Sequence, residues 1–157
     1  MSGTDVSGST GQAESALGVD MNLEVVTLPV ADVDRSKAFY ESLGWRLDID
    51  LVVGDAVRTV QFTPPHSGCS IQFGKGRTAA EPGSAQAMIL VVKDIDAARG
   101  DLIDRGVDVS EVQEMKPPGF DAPGRSYFAR ASFSDPDGNS WELQEITTRL
   151  PGREWED

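Results

Sequence analysis

The feature that most constrains this chain is an internal echo. Val30-Ala31-Asp32-Val33-Asp34 returns 62 residues later as Val92-Lys93-Asp94-Ile95-Asp96. The glycines that follow, Gly44 and Gly106, keep the same offset. In both copies a β-branched run precedes an aspartate able to cap a helix, and the glycine sits where a helix stops. A unit of about 60 residues buries too little surface to be more than marginally stable alone, so the two copies must share a core.

Reading outward from the echo, each half is strand, helix and three strands. In the first half, strands are expected over residues 23–30, 45–53, 57–63 and 69–74. A helix capped by Asp32 or Asp34 carries Phe39, Tyr40 and Leu43 on one face. Gly54-Asp55 makes a hairpin turn, and residues 64–68 a longer loop. Residues 76–84, with Pro82-Gly83, read as a linker. In the second half the strands are expected over residues 85–92, 107–115, 127–133 and 140–146, and Asp94 caps a helix through Ala97, Ala98, Leu102 and Ile103. Residues 116–126 form an exposed loop. Residues 1–20 are Gly/Ser/Thr/Ala-rich and aperiodic, a disordered tail; residues 148–157 trail at the other end. The expectation is an α+β fold with one domain over residues 21–147. Its two tandem βαβββ modules, residues 22–75 and 85–147, form a curled mixed sheet around a central cleft, with the helices outside.

The totals narrow the function. Net charge is -12, so the basic footprint of a nucleic-acid binder is missing. Cys69 is the single cysteine, which excludes an internal disulfide and a thiolate metal cluster. No apolar run reaches the length of a membrane span, and no secretory signal opens the chain. The expected location is the cytoplasm.

Strand alternation then points side chains into the cleft. Val26, Leu28 and Val30 should pack under the first helix, which leaves Leu23, Val25 and Thr27 for the cleft. Ile71 and Phe73 should pack inward, leaving Ser70 and Gln72. Trp141 and Leu143 should pack inward, leaving Ser140, Glu142 and Gln144. The repeat pairs Val25 with Ala87 and Gln72 with Glu142, so four cleft positions emerge. Glu142 is the candidate catalytic group, either a general base or a ligand anchor; the plainer reading is a strand carboxylate that is solvated or bonded to Gln72. Gln72, Val25 and Ala87 are candidate ligand contacts. Phe120 and Tyr127 flank the Pro/Gly loop and could close over a flat ligand, or simply pack. His66 reads as a loop residue and Cys69 as a small buried hydrophobe. Trp45, Phe62 and Trp141 are read as core. Asp135-Pro136-Asp137-Gly138 is read as a turn and nothing more.

These pieces resemble the vicinal oxygen chelate superfamily, which includes glyoxalase I, extradiol dioxygenases and bleomycin-resistance proteins. The resemblance rests on residues 30–36 with Phe39-Tyr40 and Leu43-Gly44, and on Asp135-Pro136-Asp137-Gly138-Asn139 with Glu142-Leu143. It implies a homodimer. It also implies that metal-dependent members place four ligands, commonly His, Glu or Gln, His and Glu, at the positions of Val25, Gln72, Ala87 and Glu142. With valine and alanine at two of the four, the expectation is no metal and no cofactor. The function expected is binding of a small organic molecule, by a sequestering protein or by a metal-independent enzyme using Glu142. The alternatives are a metal-dependent lyase or dioxygenase, and an interaction domain with a vestigial cleft.

Overall fold

The computed structural model describes residues 18–119 and 124–154, and in it the echo folds twice into the same unit. The first module is β1 (Val25–Thr27), α1 (Val33–Ser42), β2 (Arg46–Val53), β3 (Val57–Thr63) and β4 (Ser70–Phe73). The second is β5 (Met88–Val92), α2 (Ile95–Asp104), β6 (Gln113–Glu114), β7 (Ala129–Ser134) and β8 (Ser140–Glu145). The sheets run β1-β4-β3-β2 and β5-β8-β7-β6. In each, the first strand lies parallel to the last and the remaining pairs are antiparallel. The architecture is α+β, two tandem βαβββ modules, as the repeat requires.

Local chemistry sets the helix ends. Asp32 accepts the Arg35 N–H at 3.1 Å and Asp94 the Ala97 N–H at 3.0 Å. Such caps are worth about 1 kcal/mol each. Gly44 closes α1 with φ +81° and donates its N–H to the Glu41 carbonyl. Two expectations need correction. The strand over residues 107–115 shrinks to β6, because Val107 and Val109 turn into the core from an irregular segment. Val26 stays exposed, since β1 is a sheet edge; Leu28, just beyond it, takes the buried place.

The helix-facing rows of both sheets bury into a single cluster. Tyr40 is its hinge. Its ring lies 5.3 Å from Trp45, 6.1 Å from Phe62 and 5.7 Å from Phe73 within its own module, and 6.3 Å from Trp141 of the other. The hydroxyl donates to Asp135 at 2.9 Å and accepts from the Trp141 indole at 3.0 Å. Asp135 also accepts the N–H groups of Asp137 and Asn139 and the Asn139 side-chain amide. Asp137 reaches back to the first module, accepting from the Ala31 N–H and from the Arg35 and Ser36 side chains. The Asp-Pro-Asp-Gly turn is therefore more than a turn: it ties the two modules together.

This docking explains why the chain holds two sheets that do not close on one another. The aromatic rings lie on the helix-facing rows, so burying them joins the modules through those sides. The opposite rows, here called the open faces, point away from the shared core.

On the outer surface Asp50 receives Arg58 through two bonds of 3.0 Å and Lys37 at 2.9 Å. The Arg58 hydrogen bonds, followed by that of Lys37, pull the Asp50 carboxyl down to about 2. A depressed folded value stabilises the protein above the ordinary carboxylate range, and that contribution is lost as pH falls toward about 2. Asp50→Asn should flatten this arm of a plot of thermal midpoint against pH between about 4 and 2. An unchanged acid slope in the variant would contradict the assignment.

Candidate functional site

The richest open face belongs to the second sheet. In the β7–β8 register Arg130 faces Gln144 and Ser132 faces Glu142, while Ala131, Phe133, Trp141 and Leu143 take the buried side. Arg130 donates through Nη1 to Glu142 Oε1 at 2.9 Å. Gln144 is nearly enclosed and donates to the Tyr127 carbonyl at 3.1 Å. Arg130 and Gln113 are shared by two adjoining cavities. One, of about 290 Å³, has Ser110, Ala131, Ser132 and Glu142 on its walls. The other, of about 430 Å³, is walled by Met115, Pro117, Tyr127, Phe128, Gln144 and Leu150.

Tyr127 holds a backbone shape that bulky residues avoid, with φ +72°. Such strain costs about 1–3 kcal/mol and persists only where the surroundings enforce it. Here the Tyr127 N–H donates to the Glu145 carbonyl at 2.8 Å, and its hydroxyl accepts the Leu150 N–H at 3.1 Å. The ring is thereby fixed at the cavity wall.

On the open face of the first sheet, β1, β3 and β4 carry a hydrogen-bonded polar patch. Gln72 donates to the Thr27 hydroxyl at 2.8 Å, and the hydroxyls of Thr63 and Ser70 lie 2.7 Å apart. A register shift between Leu47 and Ile49 turns Asp48 onto this face, where it accepts from Thr63 and Gln61.

Of the residues singled out from sequence, Glu142 and Tyr127 both border Arg130. Gln72 and Val25 lie on the other sheet, with Val25 paired to Ser70. Ala87 sits just before β5, exposed, with φ +59° and its N–H on Ser140 Oγ. Phe120 falls outside the described residues. His66 is exposed in its loop, and Cys69 is only half-buried. The carboxylate of Glu142 engages Arg130, and the amide of Gln72 engages Thr27, so neither bonds the other. Sequence reasoning missed Arg130 and Asp48. Arg130 was within reach, since it shares strand parity with Ser132.

The donor set does not suit a divalent metal. Val25 and Ala87 offer no ligand atom, and the Arg130 guanidinium stands on Glu142 where a second cation would be repelled. Among the described residues, no three His, Cys, Asp or Glu side chains gather as a metal site.

The model for the Glyoxalase/Bleomycin resistance protein/Dioxygenase superfamily matches residues 22–143. The chain belongs to that superfamily. Within it, the crystal structure of TnmS3, an antibiotic binding protein from Streptomyces sp. CB03234, superposes with TM-score 0.66 at 28% identity, covering 83% of this chain and 99% of that one. A glyoxalase/bleomycin resistance protein from the same Streptomyces gives 0.61 at 30% identity, covering 78% and 99%. A superfamily member from Sphaerobacter thermophilus DSM 20745 gives 0.62 at 29%, covering 80% and 98%. No curated protein matches. Among the described residues, no helix of this superfamily member is long and apolar enough to cross a membrane.

Proposed function

We propose that this protein is a cytoplasmic homodimer that binds a small organic molecule on its open sheet faces without a metal. The observation that carries the reading is the Arg130–Glu142 pair, with Arg130 shared between a smaller cavity that Glu142 also lines and a larger, largely apolar one. Apolar walls with a few convergent polar groups are what a small-molecule site needs. The antibiotic-binding neighbour TnmS3 supports the same class of ligand. Glu142 is assigned to holding Arg130 in place, because its carboxylate is already engaged by that guanidinium.

The dimer rests on a second observation. Ile49, Leu51 and Val53 share the open face of β2 and are 42%, 55% and 57% exposed; Ile89 on β5 is 49% exposed. A row of large apolar side chains at a sheet edge marks a surface awaiting a partner. A second copy would cover these rows and convert open faces into an enclosed site.

A thermal-shift screen of small organic molecules against the full chain tests the binding reading. A true ligand at a hundredfold its Kd should stabilise the fold by about 2.7 kcal/mol, a shift of several degrees. If nothing binds tighter than about 1 mM, roughly -4 kcal/mol, the interaction-domain alternative takes its place.

A further inference from the structure

The net charge of -12 suggests a cationic ligand, drawn in by the field of the whole chain. The local lining says the opposite. Among the described residues, the larger cavity is bordered by Arg130 and by no carboxylate, although the chain holds 26 Asp and Glu residues. Charges beyond about 8 Å are largely screened at physiological salt, so the group at the wall outweighs the total. Arg130 offers five N–H donors in a planar fork, and the Glu142 contact uses Nη1 alone. The same walls carry the amides of Gln113 and Gln144 and the side chains of Tyr127, Phe128, Met115, Pro117 and Leu150.

Resting on the small-molecule reading above, we infer that the ligand is a flat organic anion whose carboxylate or phenolate meets the Arg130 guanidinium while its ring system lies along Tyr127 and Met115. Arginine suits this task because its fork matches a carboxylate bidentately. The fixed Tyr127 ring gives the apolar body a rigid wall, so little ordering is required on binding. Glu142 has a double effect: it steadies the guanidinium and, being itself negative, weakens the incoming anion. Arg130 is thus the residue that sets specificity, and Glu142 tempers it.

Isothermal titration with three matched probes tests the inference: 2-naphthoate, methyl 2-naphthoate and 2-naphthylmethylammonium, each against the intact protein at physiological salt. Naphthoate should bind about tenfold tighter than either of the others. Arg130→Gln should erase that preference, and an unchanged thermal midpoint certifies that the variant is folded. Glu142→Gln should strengthen naphthoate binding by about threefold or more, since one negative charge is removed beside the ligand. Equal or tighter binding of the ammonium probe, or a preference that survives in Arg130→Gln, overturns the anion assignment alone. Absence of saturable binding by all three overturns it together with the small-molecule reading.

Discussion

Replacing Asp135 by alanine should cost about 3–5 kcal/mol of folding stability, the largest loss expected from any single substitution discussed here. Its two oxygens accept four donors: the Tyr40 hydroxyl at 2.9 Å, the N–H groups of Asp137 and Asn139 at 2.9 and 3.0 Å, and the Asn139 amide at 2.9 Å. Tyr40 and Asn139 are fully buried, so water cannot replace the lost acceptor. Asparagine, though nearly the same shape, should rescue little of the loss. Its amide would set a donor against the Asn139 amide and the Tyr40 hydroxyl. Denaturant midpoints of the two variants measure this; near wild-type stability in either would show that the modules do not depend on the turn. Tyr40→Phe gives a milder companion result, about 1–2 kcal/mol. Burial, reinforced by the Asp135 charge, pushes the Tyr40 hydroxyl up in pKa. Its contribution is therefore complete below the ordinary tyrosine value near 10 and lost as pH rises above it. Tyr40→Phe should soften that alkaline decline.

The second large effect concerns assembly. Changing Ile49 and Leu51 together to aspartate should convert the proposed dimer to monomers at micromolar concentration, at least a hundredfold loss of association. Two unpaired carboxylates buried against a partner cost far more than the apolar contacts they replace. The monomer itself should keep its thermal midpoint, because both positions point away from the core that holds the modules together. Sedimentation velocity separates the outcomes. A wild-type monomer, or a double variant that remains dimeric, would remove the open β2 face from the interface.

How much of this was legible in the sequence follows from the range over which each signal acts. Asp94 caps its helix through an N–H three residues ahead, Gly44 turns the chain locally, and the alternation of Trp141 and Leu143 spans one strand; these could be read directly, while the first cap was narrowed to Asp32 or Asp34 and falls to Asp32. The module count was legible because the echo at Val92–Asp96 is almost literal. The docking of the modules was not. It depends on Tyr40 meeting Asp135 and Trp141 about a hundred positions away, and no local pattern reveals that the helix-facing rows, rather than the open ones, share a core. Asp48 was hidden for another reason: the register shift beside it breaks the alternation that assigns faces. Glu142 was assigned from strand alternation to a cleft row and stands on the open face of β8, but the residue it engages, Arg130, lies on the neighbouring strand. Gln72 and Glu142 were matched by the repeat, yet in one chain they stand on separate sheets.

The central claim is a metal-independent small-molecule site in a two-chain particle. Native mass spectrometry of protein purified without chelator tests it most directly, because metal content, retained ligand and assembly are read from one spectrum. The account predicts two chains per particle with no divalent metal, and an added organic mass once a ligand from the screen is present. One divalent metal held per chain would contradict it and return Gln72 and Glu142 to the role of ligands in a glyoxalase-type enzyme.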